Sequence, residues 1–212
     1  MVPAGRVLGA AALWALMGLG QAFAARDAIV DFGAQRPSAD ARYMAQWVLQ
    51  SGDHRGRPFV IVDKKDARIY VFESRGRLAG ASAALLGQTV GDRSAPDVGE
   101  HTQQGIVPVA ERTTPSGRFV SEPGTNLDGE HVVWIDYRLA LALHRLRPGA
   151  ARQDREARLA SGKAADHRVS LGCVVVPVAF YTDVVQPLLG RRRAVIYVLP
   201  EEVSVRETFN SL

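Results

Sequence analysis

The sequence predicts a mainly β domain with a few short helices. Three observations predict it. Phe59-Val60-Ile61-Val62, Arg68–Glu73 and Leu78–Leu86 are apolar or small-residue runs separated by the polar turns 63–66 and 75–77, the pattern of an antiparallel meander. His131–Asp136 and Arg193–Leu199 read as further strands, the latter central because Ala194–Val198 is almost wholly apolar. Clear helical spacing occurs at 38–51 and again after Pro177. With 212 residues, 47% hydrophobic and 23% charged, the chain is long enough for one compact domain with its own core.

The N-terminus reads as an export signal over residues 1–24. Arg6 precedes an apolar run, Val7 to Leu19, and Ala22-Phe23-Ala24 has the small-x-small pattern of a cleavage site. The run is short for a membrane span, which needs ~20 apolar residues; an uncleaved anchor is the alternative. No cysteine lies near it, which excludes a lipoprotein, and no later segment is apolar enough to span a bilayer. The expected location is the periplasm or cell envelope. The net charge of +4 is scattered apart from Arg191-Arg192-Arg193 and accompanies no nucleic-acid motif, so it reads as solvated surface. No zinc spacing, P-loop or repeat is present.

Residues 25–57 hold a lead-in and one helix. Ser38 is its cap, Tyr43, Met44, Trp47 and Val48 share its face, and Ser51-Gly52 ends it. Residues 87–105 form a long polar stretch, either a flexible loop over a site or a surface excursion. Ile106–Val109 reads as a short edge strand. Thr113–Phe119 contains Pro115 and Gly117 and reads as a tight turn into a strand, with Gly117 able to take a positive φ. Leu139–Leu143 is an apolar run ending at His144, taken as a strand. Residues 148–166 are a helical or mobile polar insertion, and 201–212 a tail.

Cys173 is the only cysteine. It cannot form an internal disulfide, and an odd thiol in an exported protein is either reactive or a small buried apolar residue. Gly172 before it lets the backbone turn and leaves room for a substrate carbonyl beside the sulfur.

Thr114-Pro115-Ser116-Gly117-Arg118-Phe119, the apolar run ending in His144, and Ser170-Leu171-Gly172-Cys173 occur in the order that resembles the L,D-transpeptidase (YkuD-like) catalytic domain, with its T-P-x-G-x-F turn, histidine and S-x-G-C motif. The hairpin Phe59–Val62 and Arg68–Phe72 resembles that family's opening strands. The resemblance covers residues 58–200 and implies a β-sandwich or curled mixed sheet. The chain departs from the family where Arg145 follows the histidine and Val175 stands two residues past the cysteine, and Cys173 follows His144 by an unusually long 29 positions.

The resemblance implies acyl transfer without a metal or organic cofactor. His144 would take the proton of Cys173, giving a thiolate beside an imidazolium with a lowered thiol pKa. The thiolate would attack the stem tetrapeptide of peptidoglycan, release D-alanine and pass the acyl group to an amine or water. Backbone N–H groups at Gly172 and Cys173 would hold the oxyanion. Ser170 is a loop-holding or site residue, Arg168 binds a substrate carboxylate or is solvated, and His167 is a rival base expected to be exposed. The competing class is a non-catalytic cell-wall-binding or scaffold protein of the same fold, which Val175 and Arg145 favour.

Overall fold

The computed structural model describes residues 29–209; the expected export signal lies outside them. Eleven strands are present among these residues: β1 Phe59–Asp63, β2 Arg68–Phe72, β3 Leu78–Ala83, β4 Leu86–Gly87, β5 Gly117–Val120, β6 Glu122–Thr125, β7 His131–Asp136, β8 Leu141–Arg145, β9 Arg168–Ser170, β10 Val174–Val176 and β11 Val195–Val198. The helices are α1 Ala39–Ser51, α2 Val98–Gln103, α3 Arg152–Ala160, α4 Val178–Phe180, α5 Gln186–Leu189 and α6 Val205–Phe209, with a π-helical turn Tyr181–Val185 joining α4 to α5. The chain is therefore sheet-rich with short helices, as its strand patterning predicts.

The strands form a five-stranded sheet in the order β3-β2-β1-β11-β5, a four-stranded sheet β10-β8-β7-β6 and a small parallel pair β4-β9. Each larger sheet is mixed: β1 runs parallel to β11 and β8 parallel to β10. Alternation along β1 explains its unbroken apolar run. Val60 and Val62 face a core shared with Val133, Leu143, Val174 and Ile196, so the two large sheets pack face to face. Phe59 and Ile61 face the opposite way, against Met44 and Val48 of α1. A strand covered on both faces needs apolar residues at every position.

Helix α1 is fixed at both ends by residues with suitable chemistry. Ser38 Oγ accepts the Ala41 N–H at 3.0 Å and donates to Asp63 Oδ2 at 2.5 Å, and Gly52 closes the helix at φ 68°.

Several expectations are corrected. The third strand stops at Ala83, because Leu85 leaves the meander to bond Val175 in both directions. Ile106–Val109 is not a strand: Pro108 has no N–H to give a ladder, and Val109–Glu111 winds into a 3₁₀ turn in which the Glu111 N–H bonds Pro108 O. Residues 113–116 run extended rather than turning, with Thr113 bridged to Thr89; Gly117 does take a positive φ, +145°. Strand β8 starts only at Leu141, after a turn closed by the Ala140 N–H on Tyr137 O. The expected tail contains α6, which buries Val205 and Phe209 against α1 and β11.

Candidate functional site

Strand pairing brings the cysteine and the histidine together. The parallel register sets Val174 beside Leu143 and Val175 beside His144. Leu143 and Val174 point into the core between the sheets, so His144 and Val175 point out of the opposite face, and Cys173, two residues before Val175, shares that face. Cys173 lies alongside Ala142, the residue two before His144. Cys173 and His144 are thus diagonal neighbours in the register of adjacent strands.

The imidazole is held in one tautomer. Its Nδ1 is 2.8 Å from the carbonyl oxygen of Arg145, which can only accept, so Nδ1 carries the proton and Nε2 keeps the lone pair. Arg145 contributes its backbone; its guanidinium points away to Glu130 at 3.4 Å. Burial pushes His144 down to about 4, since a charged ring is poorly solvated there and Arg147 adds like charge. Burial likewise pushes the Cys173 thiol up, against a smaller opposing effect of the Ala142 N–H. The S–H donates to Ala140 O at 3.6 Å. Both shifts favour a neutral thiol and a neutral imidazole over the ion pair expected from sequence, because burial outweighs the countercharges, Arg147 for the thiolate and Glu130 for the imidazolium.

The loop before the cysteine is closely tied down. Gly172 adopts φ +133°, and a side chain there would press on Thr113 O, so glycine is required on both grounds. Ser170 Oγ donates to Cys173 O at 2.6 Å and accepts the Gly172 N–H at 3.1 Å. Thr114 Oγ1 donates to Gly172 O at 2.6 Å and accepts the Gly87 N–H at 2.8 Å. The Gly172 N–H is thereby occupied by Ser170.

Arg168 is neither solvated nor open to a substrate. Its guanidinium pairs with Glu201 and donates to Lys64 O at 2.9 Å. His167 is buried, not exposed: its Nε2 meets Ser161 O at 3.1 Å and its Nδ1 is enclosed without a partner, since the chain after α3 folds back over it. Val175 packs with Leu85 and Leu146 in a small apolar cluster. Of residues 87–105, Gly87 and Gln88 are tied to the segments that hold the cysteine loop. Gln88 N–H bonds Ser170 O, and Gly99 packs so tightly on Arg138 O that a Cβ has no space. The insertion 148–166 carries α3, whose Leu159 packs, as Cys173 does, against the cluster of Leu85, Leu146 and Val175.

An open groove of about 420 Å³ lies between β5 and β7, lined by Arg118, Val120, Trp134, Tyr137 and Arg138; neither Cys173 nor His144 lines it. Trp134 pairs with Ala142 across the sheet, its indole lies over Gly124 of β6, and Tyr137 meets the indole edge-on at 5.1 Å. Among the described residues, no cluster of three His, Cys, Asp or Glu side chains could hold a metal ion, and no helix is long and apolar enough to cross a membrane. Sequence reasoning missed Trp134, Lys64, Asp92 and Glu201. The aromatic and acidic residues carry no local signal, and the lysine sits in what reads as an ordinary polar turn.

No model of a known protein family matches the chain, and no curated protein matches it. Solved structures do match, and they include L,D-transpeptidase catalytic domains. One is a mutant Enterococcus faecium L,D-transpeptidase, 15% identical over 68% of this chain and 50% of that chain, with a TM-score of 0.36. Another is the Xylanimonas cellulosilytica L,D-transpeptidase, 16% identical over 72% of this chain and 68% of that chain, TM-score 0.39. A third is a mutant of the helical cell shape determining protein Pgp2 from Campylobacter jejuni, 14% identical over 80% of this chain and 58% of that chain, TM-score 0.42. The chain spans about half the length of the Enterococcus protein. The chemistry below rests on the placement of Cys173 and His144 themselves.

Proposed function

We propose that this protein is a cysteine acyltransferase of the cell envelope that acts on peptidoglycan stem peptides, an L,D-transpeptidase in reaction type. The observation that carries the reading is the His144 tautomer: Nδ1–H is spent on Arg145 O, and the basic Nε2 belongs to a ring on the same sheet face as the only thiol.

As the Cys173 sulfur attacks the carbonyl carbon of the bond before the terminal D-alanine, its proton passes to His144 Nε2 and an S–C bond forms. The Cys173 N–H is the candidate donor to the oxyanion, because Ser170 occupies the Gly172 N–H. The C–N bond then breaks, His144 returns the proton to the departing amine of D-alanine, and a thioester remains. An amine acceptor attacks the thioester, gives its proton to His144 and leaves the thiol restored; water in its place gives a carboxypeptidase. Ser170 and Gly172 shape this loop, and Arg168 anchors the strand leading to it. The signal at residues 1–24 would deliver the protein to the periplasm.

Mass spectrometry of the protein mixed with a tetrapeptide muropeptide, beside Cys173→Ala, tests the reading. Release of D-alanine with an acyl adduct on Cys173, both absent from the variant, is the expected result. Neither event in folded wild-type protein would instead support the scaffold reading, which one observation favours: the S–H is directed at Ala140 O, not at His144.

A further inference from the structure

Lys64 lies in the turn between β1 and β2, where a lysine is ordinarily solvated, yet its side chain has no exposure. Its Nζ donates to Gly91 O at 2.5 Å, Asp92 Oδ1 at 2.8 Å and Thr114 O at 2.9 Å, so all three ammonium protons are used. Glu201 Oε1 stands 3.5 Å away and is shared with Arg168. Two cations and two carboxylates are thus enclosed together. Asp92 also accepts the N–H groups of Glu201 and Glu202, each at 2.9 Å. Those bonds and Lys64 more than offset the burial that pushes its carboxyl up, and hold it below the usual carboxylate range.

This cluster joins five separated segments, and two of them lead into the nucleophile loop. Thr114 is gripped at its carbonyl by Lys64 and in turn grips Gly172 O with its hydroxyl. Arg168, bonded to Lys64 O and Glu201, begins the strand that ends at Ser170. Stability alone does not account for such a cluster, because enclosed ion pairs are commonly no better than apolar residues of the same volume. Directional bonds to two carbonyl oxygens are what apolar residues could not supply.

We propose that Lys64 is a positioning residue for the nucleophile, acting in series through Thr114 on the Gly172-Cys173 peptide. This rests on the acyl-transfer reading of Cys173. Removing Lys64 frees Thr114 O, lets the Thr114 hydroxyl drift from Gly172 O, and moves the sulfur out of line with His144.

The test compares wild type, Lys64→Met, Thr114→Val, Thr114→Ser and the Lys64→Met/Thr114→Val double variant. Three quantities are read: kcat and KM for D-alanine release from a tetrapeptide muropeptide, the rate of Cys173 alkylation by iodoacetamide, and the thermal unfolding midpoint. Lys64→Met and Thr114→Val should each lower kcat about tenfold or more with KM within about twofold, since misplaced reacting groups cost rate more than binding. Thr114→Ser should restore most of the rate. The double variant should be about as slow as the slower single, because the two residues act through one contact. Lowered unfolding midpoints with wild-type kcat would overturn the proposal and leave Lys64 a structural prop. Losses that multiply in the double variant would overturn the series arrangement. Should Lys64→Met not fold, Thr114→Val against Thr114→Ser decides whether the hydroxyl positions Cys173. A wild type that releases no D-alanine refutes the acyl-transfer reading; the alkylation rates still decide the positioning claim, which fails if they match across all variants.

Discussion

The His144 Nδ1 lies 2.8 Å from the carbonyl oxygen of the residue that follows it, Arg145. A backbone acceptor does here what a carboxylate does in a Ser-His-Asp arrangement: it fixes the ring and its tautomer. It adds no full negative charge, so the imidazolium receives little help, and burial is free to push His144 down to about 4.

The pH dependence of activity follows. With His144 neutral above about pH 4 and Cys173 pushed above its ordinary value, the reactive neutral pair is the resting form across neutral pH. The kcat/KM for muropeptide should be flat there, with an acid limb near pH 4. Cys173 alkylation should rise only in the alkaline range. An alkylation midpoint below neutrality would instead reveal a thiolate–imidazolium pair.

The same burial affects stability. A histidine at 6.5 in the unfolded chain and about 4 in the fold gives full stability above 6.5, and this is lost as pH falls through the window to about 4, because the unfolded state takes up the proton first. The loss is on the order of 3 kcal/mol. Urea titrations at pH 7 and pH 4.5 should show His144→Gln losing less stability on acidification than wild type.

Arg145→Ala should retain activity within about threefold, while His144→Ala loses about a hundredfold or more, because the first keeps the carbonyl and the second removes the proposed base. D-alanine release at saturating muropeptide checks both. An inactive but folded Arg145→Ala would show that the guanidinium, and not only the carbonyl, has a part in the site.

Trp134 pairs with Ala142, the β8 neighbour of Cys173, and lines the open groove between β5 and β7, a candidate subsite for the substrate under the acyl-transfer proposal. Trp134→Ala should raise KM about tenfold with kcat within about threefold, the pattern of lost uniform binding. Steady-state kinetics with a muropeptide series checks it; a change confined to kcat would assign the indole to the chemistry.

Ser38→Ala should cost about 1 kcal/mol through loss of the α1 cap. Because Ser38 Oγ also donates to Asp63, the loss belongs at the upper end of cap values. Thermal unfolding at neutral pH measures it.

Much of the fold was legible in sequence because the relevant signals are local. Ser38 and Gly52 mark the ends of α1, and the apolar runs at 59–62 and 194–198 mark strands enclosed on both faces. Ile106–Val109 misled because an apolar run carries no information on whether a partner strand exists, and Pro108 removes the donor that one would need. Lys64 misled because a charge in a turn is ordinarily solvated; its enclosure depends on Asp92, Thr114 and Glu201, which are 28, 50 and 137 positions distant in the chain.

The sequence by itself determined the chemical inventory: a single thiol preceded by glycine, one histidine at the end of an apolar run, and a strand-rich chain to carry them. Tertiary structure decided the rest. The parallel pairing of β8 with β10 put Cys173 and His144 on one face, the Arg145 carbonyl chose the tautomer, and burial favours the neutral form of both groups. Residue types are local properties of the chain, whereas register, tautomer and ionisation depend on which distant atoms surround a group and how much water they exclude.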